Sequence, residues 1–214
     1  MMNKPIRIAL TKGRIEKDTV ALLEKMGLDT SCVRNKGRRL ILPVGEQIEV
    51  VLAKAADVIT YVEHGVCDIG VVGKDTIAES GGSFYEMLDL GFGKCRFALA
   101  GPRGVDFFEG YQSKTVASKY PNVTRAYFER KGMNVRIIKI EGSVELAPLL
   151  SLADGIVDIV ETGSTLKENG LEVLEDVMPI SARVIVNMAS LKLRKQEIEG
   201  WIDRMEAALK EEEQ

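Results

Sequence analysis

DGIVDIVETGSTLKENGL, residues Asp154–Leu171, is the stretch on which the reading of this chain turns. Ile156, Val157, Ile159 and Val160 form a short apolar run of the kind that makes a strand buried on both faces, and such strands belong to parallel sheets. Asp158 interrupts the run, and Asp154 lies four residues before it. The run ends in Thr162-Gly163-Ser164-Thr165, where a polar helix start follows. A strand, a hydroxyl-rich turn with a glycine and a helix N-terminus together make an anion site. Orphan backbone N–H groups, hydroxyls and the positive end of the helix dipole point at one place. Carboxylates just upstream are poor phosphate ligands, but they suit ribose hydroxyls or Mg²⁺. The segment reads as a site for a phosphorylated sugar; the plainer alternative is a β-turn-α connection with a Ser/Thr cap.

Working outward, the chain alternates strands with helices. Strands are predicted at Ile6–Leu10, Arg39–Leu42, Ile48–Leu52, Val66–Val72, Phe97–Ala100, Thr115–Ser118, Val135–Ile140 and Ala182–Asn187, besides the run at Ile156. Helices are predicted at Ile15–Met26, Asp57–His64, Asn122–Lys131, Val144–Leu152 and Leu191–Lys210, with Gly200 a weak spot in the last. This grammar predicts an α/β fold of mostly parallel sheets flanked by helices. There is also a faint repeat. Gly65-Val66-Cys67-Asp68-Ile69 matches Gly155-Ile156-Val157-Asp158-Ile159, and Gly73 matches Gly163 at the same offset. Either chance or two similar α/β lobes, each offering a loop to a shared cleft, accounts for it.

Bulk properties narrow the chemistry. With 214 residues, 45% hydrophobic and 29% charged, the chain has ample core for one large or two small domains. A net charge of −3 gives no electrostatic case for nucleic acid. No apolar stretch reaches membrane-spanning length, and Met1–Arg7 lacks the apolar core of a leader, so a cytoplasmic location is expected. Cys32, Cys67 and Cys95 are widely separated and show no metal spacing, which reads as reduced thiols. His64 is the only histidine, so serine-triad, histidine-base and zinc-site chemistries are improbable.

The segment that opens this reading also carries a resemblance. GSVELAP (Gly142–Pro148) followed by LADGIVDIVETGSTL (Leu152–Leu166) resembles the 5-phosphoribosyl-diphosphate signature of the ATP phosphoribosyltransferases, which start histidine biosynthesis. The likeness continues, in order, through ALTKGRI (Ala9–Ile15), DVITYVEHGVCDIGVVGKD (Asp57–Asp75) and SKYPNVTRAYF (Ser118–Phe128). The chain resembles the short-form catalytic subunit of that family. The resemblance implies a periplasmic-binding-protein-like fold of two lobes with a cleft between them. Residues 1–90 plus 178–214 would form a discontinuous first lobe, and residues 91–177 a second lobe carrying the phosphoribosyl-diphosphate loop. Gly91-Phe92-Gly93 would be the hinge.

Site residues follow from the residue types and from the resemblance together. Thr11-Lys12-Gly13-Arg14 offers two cations and a close-approach glycine at a helix start, for phosphate or as a solvated turn. Arg38 and Arg39 flank a strand, so one of them points out of the sheet. Lys54 stands where the family usually has Arg, and Ala55 where a Pro is common; lysine keeps the charge but loses the bidentate fork. Asp75 reads as a helix cap, while Asp68, inside an apolar strand, needs partners. Tyr120, before Pro121, could stack on adenine or pack on its lobe. Ser143 reads as an N-cap, with Glu145 in the first turn.

The resemblance implies transfer of phosphoribose from 5-phosphoribosyl-1-diphosphate to N1 of ATP. Asp158, with Asp154, would orient the ribose hydroxyls, directly or through substrate-bound Mg²⁺, and Glu161, Thr162, Gly163, Ser164 and Thr165 would cradle the 5-phosphate. Lys12, Arg14, Arg38 and Lys54 would be the diphosphate or triphosphate cations, and Asp68, Tyr120 and Glu145 would line the adenine side. Asp158, Lys54 and Arg14 are the expected catalytic set. The resemblance further implies a homo-oligomer that works with a separate subunit like the histidyl-tRNA synthetase catalytic domain. Two rivals stand beside this reading: a non-catalytic solute-binding protein of the same two-lobed fold, and a base-salvage phosphoribosyltransferase.

Overall fold

A computed structural model describes residues 4–110 and 112–210. Part of the leader reading, at residues 1–3, lies outside them. The elements run, in order, β1 (Ile6–Thr11), α1 (Arg14–Lys25), α2 (Ser31–Arg34), β2 (Ile41–Val44), β3 (Ile48–Ala53), α3 (Ala55–Glu63), β4 (Ile69–Gly73), α4 (Lys74–Ser80) and β5 (Phe84–Asp89). There follow β6 (Cys95–Pro102), β7 (Thr115–Ser118), α5 (Pro121–Arg130), β8 (Arg136–Lys139), α6 (Leu146–Leu149), β9 (Gly155–Val160), α7 (Ser164–Glu168) and β10 (Leu171–Ile180). The chain ends in β11 (Ala182–Asn187), α8 (Met188–Leu193) and α9 (Lys195–Lys210).

The chain divides into two units, Met1–Gly93 with Ser181–Gln214, and Lys94–Ile180. The first holds a six-stranded sheet in the order β2-β3-β1-β4-β11-β5. Strands β3, β1 and β4 run parallel at its centre, whereas β2, β11 and β5 pair antiparallel. Alternation along β1 sends Ile6, Ile8 and Leu10 into one core with Leu23 of α1 and Trp201 of α9. Ala9, on the opposite face, packs with Val58 and Val62 of α3. The first sheet is thus covered on both sides, which is why β4 is buried along its whole length.

The second unit holds a five-stranded sheet in the order β10-β6-β9-β7-β8. Strands β9, β7 and β8 are parallel; β6 runs antiparallel between β9 and β10. Ile156 and Val160 of β9 join a core with Ala98 of β6, Ala117 of β7, Ala147 of α6 and Leu171 of β10.

Two strands fall where no strand is predicted. β5 and β10 are half-exposed, and Glu86, Asp89, Glu172, Glu175 and Asp176 break any apolar pattern in them. The terminal helix is two helices, parted at Arg194, while Gly200 sits inside α9 without breaking it. The helix expected over Val144–Leu152 shortens to α6, and Glu145 rather than Ser143 takes its N-cap position.

Candidate functional site

The parallel strands β1 and β3 end side by side in the first unit, and their ends carry the basic turn predicted from ALTKGRI. The Lys12 N–H donates to the Ala53 carbonyl at 2.9 Å. Gly13 then adopts φ +110°, outside the reach of other residues, and turns the chain into α1, where Arg14 is the first, exposed residue. Beside this turn lies a cavity of about 530 Å³, lined by Lys12, Gly13, Glu16, Lys17, Lys36, Arg38 and Arg39 among others. Lys12 and Arg38, both expected among the phosphate-binding cations, line one cavity. Lys17 of α1 joins them, as do Lys36 and Arg39 on either side of Gly37 and Arg38. Lys54 follows β3 as the exposed residue at the N-cap position of α3, so it stands at the same end of the sheet as the Lys12 turn.

In the second unit β9 ends in the hydroxyl turn. Gly163 has φ +79° and ψ 7°, a left-handed conformation that glycine adopts without cost, and it takes the N-cap position of α7. The Thr162 hydroxyl accepts the Ser164 N–H at 3.3 Å, and the two hydroxyls lie 3.1 Å apart. Thr162, Ser164 and Thr165 are exposed, and Glu161 offers its carbonyl to the Arg96 guanidinium at 3.4 Å. Arg96, on β6 opposite Val160, also holds Asp176 at 2.5 Å, which fastens the turn to the neighbouring strands. Sequence reading missed Arg96; register alone brings it to the turn.

Asp158 lies on the face of β9 that carries Ile156 and Val160, opposite Ala98 of β6. Its carboxyl is pushed above the ordinary carboxylate value, chiefly by burial and further by the negative charge of Glu145; the Ile159 N–H and the Lys119 ammonium pull the other way. Asp158, Glu145 and Lys119 thus form one electrostatic group in the second unit. Lys119, at the end of β7, is a further residue not singled out from the sequence. Among the described residues no three metal-ligating side chains converge. Asp158 and Glu145 nonetheless match what Mg²⁺ takes beside a phosphorylated substrate, one or two carboxylates with substrate oxygens completing the shell.

Two expected contacts come out differently, and Tyr120 takes the packing alternative. Asp68 precedes β4 rather than lying within it, and its carboxylate accepts the Arg7 N–H at 3.0 Å, the Ser190 hydroxyl at 2.8 Å and the Arg194 guanidinium at 3.2 Å. It is a staple between β1, β4 and the α8–α9 junction, at the opposite end of the strands from the Lys12 turn. Asp154 likewise precedes β9 and accepts the Thr115 N–H at 2.7 Å. A full strand separates it from the 161–165 turn, so it does not share Asp158's place. Tyr120 packs its ring edge-on against buried Phe97, with centroids 4.8 Å apart, on the sheet face away from Asp158.

Comparison with known proteins now bears on this geometry. The family model of HisG, ATP phosphoribosyltransferase, matches residues 54–207. The ATP phosphoribosyltransferase of Clostridium kluyveri is 60% identical over 209 residues, covering 97% of this chain and 95% of its own. The chain belongs to that family. Relatives of the same name from Clostridium acetobutylicum and Listeria monocytogenes are each 58% identical, covering 95% and 98% of this chain and the same shares of their own. Among solved structures, the ATP phosphoribosyl transferase (HisG:HisZ) complex from Thermotoga maritima matches with a TM-score of 0.81 and 36% identity, over 96% of this chain and 99% of that one. The periplasmic aliphatic sulphonate binding protein SsuA of Escherichia coli matches with a TM-score of 0.58 at 10% identity, over 97% of this chain and 73% of that one. That likeness shows the fold alone: two mixed sheets flanked by helices, of the periplasmic-binding-protein kind. The family match takes in Lys54, Asp158 and the hydroxyl turn; Lys12, Arg14 and Arg38 lie before its start. Among the described residues no helix is long and apolar enough to cross a membrane.

Proposed function

We propose that this chain transfers phosphoribose from 5-phosphoribosyl-1-diphosphate to N1 of ATP, releasing diphosphate, as the first step of histidine biosynthesis. The observation that carries the reading is the pairing, within an ATP phosphoribosyltransferase family member, of half-buried Asp158 with the exposed hydroxyl turn that ends its strand. The rivals are not favoured: the solute-binding likeness is at 10% identity, whereas the transferase relatives reach 60%.

The reaction needs no side-chain nucleophile. The N1 lone pair of adenine forms the new bond to the anomeric carbon as that carbon's bond to diphosphate oxygen breaks. Catalysis then rests on holding both substrates and on stabilising charge. The turn from Glu161 to Thr165 cradles the 5-phosphate through backbone N–H groups and hydroxyls. Asp158 orients the ribose hydroxyls and faces the positive charge that develops at the anomeric carbon. Mg²⁺, carried by the substrate, would be held by Asp158 with Glu145 and would neutralise diphosphate charge. Lys12, Arg38 and their neighbours in the cavity of the first unit bind the nucleotide's phosphates, and Lys54 and Arg14 contact the leaving diphosphate. Glu145 borders the adenine. The chain works as an oligomer in the cytoplasm with a second, regulatory subunit resembling the histidyl-tRNA synthetase catalytic domain, in keeping with the HisG:HisZ complex of the Thermotoga relative.

The test is formation of phosphoribosyl-ATP from the two substrates, with and without that subunit. Turnover should require Mg²⁺ and vanish in excess chelator. Lys54→Ala should lower kcat by about thirty- to thousandfold, the worth of roughly 2–4 kcal/mol, while Lys54→Arg keeps it. Absence of product with both subunits present, or full turnover in chelator, would count against this reading.

A further inference from the structure

Glu16 is an anion inside a cavity built for anions. Among the residues lining the basic cavity of the first unit it is the only carboxylate, set against Lys12, Lys17, Lys36, Arg38 and Arg39. By Coulomb's law alone such a group weakens the binding of any polyanion. Its surroundings give the reason it is there. The side chain is about 10% exposed, on the first turn of α1. One carboxylate oxygen accepts the N–H of Gly13 at 3.4 Å, and the other carries the ammonium of Lys36. It thereby joins the Lys12-Gly13-Arg14 turn to the loop of Lys36 and Arg38, which the sequence places 20 residues away.

We propose that Glu16 is a positioning residue and Lys36 a binding residue for the triphosphate chain of the nucleotide. The inference rests on the reading of this cavity as the ATP phosphate site. A lysine on its flexible stem loses much rotamer freedom when it grips a ligand. Lys36, already ordered by Glu16, gives up less on binding, and so contributes more of its attraction. The bond from the Gly13 N–H goes to the other oxygen, and the amide oxygen of a glutamine can accept it equally, so Glu16→Gln removes only the anchor of Lys36. Five cations around one carboxylate leave a net charge of four, suited to a fully ionised nucleoside triphosphate.

Charge and position make opposite predictions for Glu16→Gln, an isosteric change. Removal of negative charge alone would tighten binding of a polyanion. Loss of the anchor for Lys36 would weaken it. Calorimetric titration of the full chain with ATP, and separately with inorganic tripolyphosphate, should give a Kd raised about fivefold to tenfold in Glu16→Gln for both probes. Lys36→Met should raise both by about tenfold. In the Lys36→Met background, Glu16→Gln should cause no further weakening, because the residue it positions is gone. Unchanged or tighter binding in Glu16→Gln, or losses that simply add, would overturn the proposal while leaving the cavity as the nucleotide site. Should Glu16→Gln not fold, Lys36→Met decides: unaltered tripolyphosphate affinity in that variant overturns it. Wild-type protein that binds neither probe overturns both this proposal and the reading of the cavity.

Discussion

β4 in the first unit and β9 in the second are entered through the same backbone device, and they differ in what they carry. Each follows a helix that stops on a left-handed residue, Gly65 at φ +68° after α3 and Ser151 at φ +57° after α6. In each, the residue just before the aspartate donates its N–H to the carbonyl seven residues before that aspartate, Cys67 to Tyr61 and Ala153 to Ala147. In each, the aspartate then exchanges bonds with the neighbouring parallel strand. Asp68 donates its N–H to the Arg7 carbonyl and accepts the Arg7 N–H; Asp154 does both with Thr115. Asp68 therefore corresponds to Asp154, and the place of Asp158 is taken in β4 by Val72, which is fully buried. The aspartates common to both strands fasten them to their neighbours. The one present in β9 alone is half-buried, faces Glu145, and is met by the Ile159 N–H and the Lys119 ammonium rather than by a bond to a neighbouring strand. A carboxylate that a fold does not need is the one to assign to chemistry.

Changes at corresponding positions break or sharpen that comparison. Val72→Asp, which gives β4 the carboxylate of β9, should cost about 4 kcal/mol or more, since Ala9, Val58 and Ile185 around it offer no charge partner. A denaturation midpoint close to wild type would mean that either strand tolerates an acid there. Asp158→Asn should lower kcat about a hundredfold or more while leaving the fold intact. Its stability should move with pH in a set direction. The raised carboxyl favours the fold when protonated, an advantage complete below the ordinary value of 3.8 and lost as pH rises through the raised value. The asparagine variant should therefore melt higher than wild type at neutral pH, with the gap closing towards acid.

Asp68→Ala and Asp154→Ala should show the converse, a loss of about 1–3 kcal/mol each with kcat changed little. The Asp68 variant should lose more, because Arg194 and Ser190 also lean on that carboxylate. A collapse of kcat in a stable Asp154 variant would restore its place beside the sugar. The smallest effect belongs to the helix stops. Ser151→Gly should raise the unfolding free energy by about 0.5 kcal/mol and Gly65→Ser should lower it by about 1 kcal/mol, as thermal melts would register.

The sequence disclosed those features that depend on neighbours along the chain. Thr115–Ser118 and Ala182–Asn187 form strands over the residues expected, because short apolar runs bounded by turns have few alternatives. β5 and β10 were illegible, since their order comes from pairing with β11 and β6 rather than from any pattern of their own. The repeat was legible but misread by four residues. Gly-x-x-Asp-Ile recurs by identity at Gly65 and Gly155, and this outweighed the true match of Gly65 with Ser151, where one left-handed position is filled by serine. The hydroxyl turn could be read because all its parts are consecutive. The cavity could not, because Lys12, Glu16, Lys36 and Arg38 meet only after α1 and the loop before β2 have folded back.

The strand order of the first sheet has a consequence for how the chain is made. β11 lies between β4 and β5, and among the described residues β5 pairs with no other strand. As the polypeptide emerges from the ribosome, β5 is therefore without its partner until Asn187 is out. Lys94–Ile180, which is contiguous, has all five of its strands by then. Vectorial synthesis favours the later-made unit to fold first, with the N-terminal half waiting for the C-terminal helices to close over it.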